Sequence, residues 1–154
     1  MSSLKSLSIA IELATLARDQ AMAQWQNTLK AQAHGRDQML QLQQYASETE
    51  QRWSKGAQQG TTSELLHHHY QFMGRLYQAV TLQEATLEAA SQRVAIAQRQ
   101  EVQAEVRLAS LQKLLEKRRM EQTRLHQRME QKHMDEFAAM QTQRRIRQQT
   151  EATT

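Results

Sequence analysis

Residues that end helices are almost missing from this chain of 154 amino acids. It contains no Pro and only four Gly. Pro removes a backbone donor and clashes with the preceding turn, while Gly weakens a helix interior by roughly 1 kcal/mol. Because these residues divide a chain into separate elements, their scarcity predicts a small number of long helices.

Apolar residues recur in heptads along two long segments. The hydrophobic fraction of 39% and the mean hydropathy of -0.80 suit a narrow seam between helices better than a multilayer core. In the first segment, the a and d positions are Leu4, Leu7, Ile11, Ala14, Arg18, Ala21, Trp25, Thr28, Gln32, Gly35, Met39, Leu42, Ala46, Thr49 and Trp53. In the second, they include Leu66, Met73, Leu76, Val80, Leu87, Ala90, Val94, Ala97, Glu101, Ala104, Leu108, Leu111, Leu115, Gln122, Leu125 and Met129. This sustained period argues against disorder and predicts an all-α coiled coil whose seam is weakest from Thr28 to Gly35.

A single turn is predicted between the two segments. Residues 54–64, SKGAQQGTTSE, contain Gly56 and Gly60, the only close pair of Gly. Thr61 and Glu64 have the spacing of a capping box, which predicts Thr61 as N-cap and Glu64 as the third helical residue. We therefore predict one coiled-coil domain over residues 1–154, with helix 1 at about 4–55, the turn at about 56–61, helix 2 at about 62–148 and a frayed tail at 149–154.

One turn between two long helices predicts an antiparallel hairpin. A turn centred near residues 58 and 59 brings apolar residues opposite one another. The predicted pairs are Tyr45 with Phe72, Leu42 with Leu76, Met22 with Ile96, Leu16 with Val102, and Leu4 with Leu114. The second helix is then longer than the first, so residues from about 115 to 150 extend beyond it with no partner in the chain.

The unpaired part of the second helix differs in charge from the rest. Residues 113–147 contain ten Lys or Arg against five Asp or Glu, whereas residues 1–112 contain ten of each. The same stretch keeps several apolar side chains, namely Leu115, Leu125, Met129, Met134, Phe137, Met140 and Ile146. Interleaved apolar and basic residues favour a protein partner. An anionic membrane surface and an ordinary solvated face are the alternatives, and the acidic residues and missing dense basic run argue against nucleic acid.

The sequence carries no signature of catalysis or of a cofactor. There is no Cys, which excludes disulfides and thiol chemistry, and the four Gly lie too far apart for a phosphate-binding loop. A pair of helices offers no pocket of catalytic size. No apolar run approaches the ~20 residues that cross a bilayer, and we interpret the N-terminus as a helix start rather than a signal peptide. We expect no enzyme activity and no cofactor.

The histidines do not have the spacing of a metal site. His67, His68 and His69 are consecutive, and on a helix they diverge by about 100° per residue, so they cannot all bind one ion. We interpret them as a solvated helix start. His126 and His133 share a face but lack a third ligand of the usual kind, which favours an interface or solvent role. We expect no bound metal.

Aromatic residues cluster on both sides of the predicted turn. They are Tyr45, Trp53, Phe72 and Tyr77. Part of this cluster belongs to the seam, but only some aromatic rings fit between two helices. The rest are expected to be exposed, and exposed aromatic side chains often anchor interfaces. The sequence leaves two roles for these residues, packing in the seam and forming a binding surface.

Three stretches of the chain are characteristic, namely SLKSLSIAIELA at the N-terminus, QFMGRLYQAV at 71–80 and QKHMDEFAAMQ at 131–141. They resemble a known family, that of the flagellar export protein FliJ. The tail string QKHMDEFAAMQ at 131–141 is similar to that family's C-terminal signature, in which a basic residue, Met-Asp-Glu and an aromatic residue recur. SLKSLSIAIELA at the N-terminus and QFMGRLYQAV at 71–80 also resemble the family, as do the length and the single turn. The resemblance covers essentially the whole chain. It implies an antiparallel coiled coil like that of rotary-ATPase gamma subunits.

The resemblance also implies partners and a place in the cell. The two chain ends would enter the hexameric flagellar export ATPase, and the helix pair would act as a stalk towards the export gate protein FlhA. The family also escorts empty export chaperones. The protein would then be cytoplasmic, peripherally associated with the inner membrane at the flagellar base. The alternatives are an injectisome stalk protein of the same fold and an amphipathic helix that coats membranes. A separate alternative for the unpaired helix is pairing with a second copy of the chain.

Two sets of residues are assigned from the resemblance and the charge pattern. The resemblance places a gate-binding surface, here called the aromatic patch, at Gln38, Leu42, Tyr45, Phe72, Leu76 and Ala79. The chain departs from the family pattern at Thr49 and Gln83, where the family has Tyr and His. The resemblance and the unpaired basic helix together assign ATPase docking to Arg118, Arg119, Arg124, Leu125, Arg128, Met129 and Phe137.

Overall fold

Two long helices make up the fold. The structure is a computed structural model that describes residues 2–153. Helix α1 spans Ser2–Gln58 and helix α2 spans Ser63–Ala152, and residues 2–153 contain no β-strand. The predicted all-α helical hairpin, with a second helix longer than the first, is confirmed.

The turn between α1 and α2 lies slightly later than predicted. Helix α1 continues through Gly56 to Gln58, and the chain reverses at residues 59–62. The amides of Gln59 and Gly60 donate to the carbonyls of Gly56 and Ala57, each at 3.1 Å, which closes the end of α1. Gly60 has a φ of 111°, a conformation that L-residues with a Cβ rarely adopt. Gly60 therefore ends the helix, whereas Gly56 is an ordinary helical residue.

The predicted N-cap of α2 was wrong by one residue. The Oγ1 of Thr62 accepts a hydrogen bond from the amide of Leu65 at 3.2 Å, which is the N-cap to N3 contact. The hydroxyl of Thr61 instead donates to the carbonyl of Thr62 at 3.3 Å. Because α2 begins at Ser63, Glu64 is the second helical residue, where its charge still favours the positive helix start.

One compact unit of the hairpin comprises residues 14–106. Its buried side chains fall on the predicted a and d positions, namely Ala14, Met39, Ala46, Met73, Leu76, Ala97 and Glu101. Ala46, Met73 and Leu76 form a cluster against which Leu42 packs. Two predicted pairs do not enter this seam, because Met22, Ile96, Leu16 and Val102 are all exposed. None of these four residues is at an a or d position of the heptad frame, so their side chains point away from the seam.

The helices of this unit come close together at Gly35. A Cβ at this position would lie 3.0 Å from Cδ2 of Leu87. The Nε2 of Gln83 also donates to the Gly35 carbonyl at 2.9 Å, across the two helices. The sequence predicted a weak seam here because large apolar residues are missing. The small Gly35 instead lets Leu87 occupy the space that a side chain would fill.

Polar residues interrupt the seam of the same unit. The guanidinium of Arg18 donates to Asp19 at 2.9 Å and to Glu105, on the other helix, at 3.5 Å. The hydrogen bond to Asp19 raises the pKa of Arg18, so this group stays charged. Glu101 is buried at a heptad a position, with 8% of its surface exposed. Such residues contribute less to seam stability than apolar ones but help to specify which residues face one another.

The second compact unit contains residues 2–13 and 107–153 of the described chain. Leu7 and Leu108 are buried, and Leu4, Ile11, Leu111 and Leu115 are half-buried. From residue 116 to residue 153 every residue is exposed, although α2 is helical as far as Ala152. The expected fraying from residue 149 is therefore not seen. We call residues 116–152 the tail segment.

Candidate functional surfaces

The aromatic patch centres on a contact between one ring of each helix. Tyr45 on α1 and Phe72 on α2 have ring centroids 6.1 Å apart and an interplanar angle of 81°, an edge-to-face arrangement. The two residues remain 49% and 39% exposed. Tyr45 and Phe72 therefore contact each other across the two helices and also leave part of their apolar surface exposed.

The other residues of the aromatic patch support these two rings. Leu76 is buried, and Leu42 packs against the cluster that contains it. Ala79 is half-buried, while Gln38 is exposed. The structure thus pairs Tyr45 with Phe72 across the two helices, and places Leu42 and Leu76, one helical turn away along each helix, at a buried apolar cluster. Rigid, partly exposed aromatic groups on a packed base are typical of protein-binding surfaces.

Gln83 connects to the edge of this patch in a way that the sequence did not reveal. Its Nε2 lies 3.3 Å from Oε1 of Gln38, in addition to its bond with the Gly35 carbonyl. Thr49, the second departure from the family pattern, is half-buried at a d position. Both residues therefore have structural roles in the seam. The sequence signal for this contact was a long polar residue, Gln83, at a d position of α2, facing the small Gly35 at a d position of α1.

The tail segment presents apolar and basic side chains on one helix. Leu125, Met129 and Phe137 are 59%, 61% and 62% exposed. The predicted docking residues Arg118, Arg119, Arg124 and Arg128 are exposed as well. Protein surfaces seldom expose so many large apolar residues in one stretch unless they bind something. The exposed apolar residues of the tail segment are Met120, Leu125, Met129, Met134, Phe137, Met140 and Ile146.

A groove begins at the start of the tail segment. It has a volume of about 740 Å³ and is lined by Ile11, Gln112, Leu115, Glu116, Arg119, Met120, Thr123, Arg124 and Gln127. Of the predicted docking residues, Arg119 and Arg124 line this groove, whereas Leu125 and Arg128 line a smaller one with Glu121 and Arg124. Ile11 was predicted only as a seam residue, and Met120 was not predicted at all. Met120 is not at an a or d position, so the heptad pattern did not indicate a role for it. Its exposed side chain in the groove does.

Polar contacts along the tail segment involve both of its histidines. The Nε2 of His126 lies 3.1 Å from Oε1 of Glu130, and the Nδ1 of His133 lies 4.0 Å from Oε2 of Glu136. Gln131 also donates to Asp135 at 3.1 Å. These contacts follow i, i+3 and i, i+4 spacing, at which side chains on one face of a helix are neighbours.

The three consecutive histidines do not share one environment. His67 and His68 are exposed, as the interpretation of a solvated helix start requires. His69 is different, because its ring stacks on Trp53 at a centroid distance of 4.2 Å and an angle of 5°. His69 occupies a d position and is half-buried. The interpretation of His69 as a solvated residue was therefore wrong, and its d position in the heptad frame was the sequence signal for its burial.

The described residues contain no group of three or more His, Cys, Asp or Glu placed to hold a metal ion. Within the same part of the chain, no helix has a stretch long and apolar enough to cross a membrane. The described surfaces contain two regions with exposed large apolar side chains, the aromatic patch and the tail segment. The fold defines the class of the protein as an all-α helical hairpin of the coiled-coil type.

The particular family follows from comparison with known proteins. The family model described as Flagellar FliJ protein matches residues 3–147. The chain therefore belongs to the flagellar FliJ family and is a component of the flagellar type III export apparatus. This family is not a known enzyme family. Comparison with curated proteins and with solved structures yields no match.

Proposed function

We propose that this chain is a stalk-like coiled coil that binds the hexameric export ATPase through its tail segment and the gate protein FlhA through its aromatic patch. We also propose that it escorts empty export chaperones and has no catalytic activity. The observation that carries the proposal is the exposure of every residue from 116 to 153, against the paired seam of residues 14–106.

Burial of the tail segment supplies a physical reason for docking. Covering a Leu, Met or Phe side chain contributes about 1.5–3 kcal/mol relative to leaving it in water, before the cost of association is subtracted. Leu125, Met129 and Phe137 are each more than half exposed, so a partner can gain most of that amount. Arg118, Arg119, Arg124 and Arg128 then favour a partner surface that carries acidic residues.

The aromatic patch suits a second partner because its rings are already held in place. Tyr45 and Phe72 contact each other edge to face, and Leu42 and Leu76, one helical turn away along each helix, pack in a buried apolar cluster. A rigid patch loses little conformational entropy on binding, which favours affinity. The proposed partner at this surface is FlhA. Binding to two assembly components would hold the protein in the cytoplasm, peripherally associated with the inner membrane at the flagellar base.

Three variants test the two contacts separately. Deletion of residues 116–154 removes the exposed tail, and a milder variant replaces Leu125, Met129 and Phe137 with Ala. The third variant, Tyr45→Ala with Phe72→Ala, changes the aromatic patch. We expect the two tail variants to lose co-purification with the ATPase while keeping FlhA binding, and the patch variant to do the reverse. Circular dichroism checks that each variant remains helical.

The proposed docking fails if the tail deletion co-purifies with the ATPase as well as the full chain does. Two further measurements separate this function from the alternatives. Flotation with anionic liposomes tests the membrane-coating alternative, which strong lipid binding without ATPase binding would favour. Light scattering over a range of concentrations tests whether the tail segment pairs with a second copy. Such pairing would cover the tail segment and compete with binding to the ATPase.

A further inference from the structure

A groove close to the turn lies apart from both proposed contacts. Its volume is about 460 Å³, and it is lined by Glu50, Trp53, Ser54, Ala57, Gln58, His69 and Tyr70. We call it the turn groove. None of these residues belongs to the aromatic patch or to the tail segment, so the proposed function does not use it.

Aromatic rings form much of this groove. The rings of Trp53 and His69 stack almost parallel, with centroids 4.2 Å apart. Tyr70 follows at 6.1 Å from His69 with an angle of 52°, and 67% of its surface is exposed. Aromatic faces carry negative electrostatic potential and attract cations. The stack covers one face of Trp53 and one of His69, so a cation in the groove would lie on the other face of Trp53 and on the exposed ring of Tyr70.

The charged residue in the lining is negative, like the electrostatic potential of the aromatic ring faces. Among the described residues, the lining contains the carboxylate of Glu50 but no Lys or Arg, although the chain as a whole has a net charge of +4. The hydroxyl of Tyr77 donates to Oε2 of Glu50 at 3.4 Å, which helps to orient the carboxylate. A carboxylate beside several aromatic rings is complementary to a positively charged, planar group.

We propose that the turn groove binds an arginine side chain of a partner protein. Arginine fits better than lysine because its planar guanidinium stacks on aromatic rings and pairs with a carboxylate through two parallel hydrogen bonds. The guanidinium would lie against Trp53 and Tyr70 and donate to Glu50. This contact would be a third interaction surface, independent of the ATPase and FlhA contacts.

The test compares two ligands that differ in charge and hardly in shape. N-acetyl-arginine amide is titrated into the full chain, and N-acetyl-citrulline amide serves as the neutral control. The readout is the indole N–H signal of Trp53 in two-dimensional NMR. Trp25 is the only other Trp, so a Trp25→Phe variant assigns the two signals. We expect a saturable shift of the Trp53 signal with the arginine ligand and none with citrulline.

Two variants and a matched control complete the experiment. Tyr70→Ala removes an exposed ring, and Glu50→Gln removes the charge but keeps an acceptor for Tyr77. Each is expected to weaken arginine binding about two- to fivefold, the range of one exposed cation–π contact for Tyr70 and of one exposed ion pair for Glu50. Glu48→Gln removes the same charge from a residue that pairs with Arg52 at 3.8 Å and does not line the groove. It should bind like the wild type.

Either of two results would overturn the proposal. The first is a Trp53 shift that is equal for arginine and citrulline, or missing for both. The second is unchanged arginine binding in both Glu50→Gln and Tyr70→Ala. Neither result depends on ATPase or FlhA binding, so failure here is distinguishable from failure of the proposed function.

Discussion

The side chain of Gln83 on α2 donates a hydrogen bond to the backbone carbonyl of Gly35 on α1, with Nε2 and O 2.9 Å apart. The contact is partly buried, and Nε2 also lies near Gln38. We predict that Gln83→Leu lowers the free energy of unfolding by about 0.5–1.5 kcal/mol, the net contribution of a typical hydrogen bond. Urea unfolding followed by circular dichroism measures the change. The exposed Gln78→Leu, on the same helix, should stay within about 0.5 kcal/mol of the wild type.

Gly35 itself limits the size of the side chain that this seam accepts. A Cβ would lie 3.0 Å from the flexible end of Leu87. Gly35→Ala should therefore be nearly neutral, since the gain in helix propensity of roughly 1 kcal/mol offsets the crowding. Gly35→Leu should destabilise the hairpin by about 1–3 kcal/mol through overpacking. Adding Leu87→Ala to Gly35→Leu should restore part of that loss. If Gly35→Leu unfolds at the wild-type urea concentration, the close approach of the helices is not a constraint.

The edge-to-face contact of Tyr45 with Phe72 predicts energetic coupling between the two helices. A double-mutant cycle of Tyr45→Ala and Phe72→Ala should give a coupling energy at the lower end of about 0.5–1.5 kcal/mol, because both rings are partly exposed. Thermal unfolding of the four proteins supplies the cycle. A coupling energy of zero would mean that the rings do not touch in solution.

Heptad periodicity was enough to predict the seam, since Leu7, Ala14, Met73 and Leu108 are all buried where their a and d positions place them. The period is strong because side chains at a and d positions point directly at the facing helix, whereas flanking ones such as Tyr45 and Phe72 meet at the edge of the seam and stay partly exposed. The surfaces were harder to predict. His69 was assigned to solvent together with His67 and His68, as part of a solvated helix start, although its d position in the heptad frame decides its burial.

The position of the turn depends on features that a pattern of apolar residues does not contain. Gly56 and Gly60 looked equivalent in sequence, but only Gly60 adopts a positive φ. The predicted pairing of Met22 and Leu16 was wrong for another reason, because neither residue is at an a or d position and both are exposed. Helix ends are set by single backbone hydrogen bonds, so they are the least certain part of a sequence-based prediction.

The corrected N-cap gives a test with a neighbouring control. Thr62 accepts the hydrogen bond from Leu65, whereas Thr61 makes no such contact with a helix amide in the described structure. Thr62→Ala should lower the free energy of unfolding by about 0.5–2 kcal/mol, and Thr61→Ala by less than about 0.5 kcal/mol. Chemical denaturation of both variants decides between them. The reverse order would restore Thr61 as the cap.

Glu101 predicts a variant that is more stable than the natural chain. Its carboxylate occupies a seam position with only 8% of the residue exposed. A carboxylate at an a position adds no apolar contact with the facing helix. Glu101→Leu keeps a side chain of similar size and adds such contact across the seam. We therefore expect the free energy of unfolding to rise by about 1 kcal/mol, from the apolar area that Leu buries.

Glu105 provides the matched control for that variant. It carries the same charge one helical turn later and pairs with Arg18 at 3.5 Å, with 43% of its side chain exposed. Glu105→Leu loses this ion pair and gains little burial, so its stability should change by less than about 1 kcal/mol. Thermal melts at low and high salt compare the two, because salt weakens the Arg18 pair but not an apolar contact. A melting temperature for Glu101→Leu below that of the wild type would mean that the Glu101 carboxylate stabilises the seam through contacts of its own.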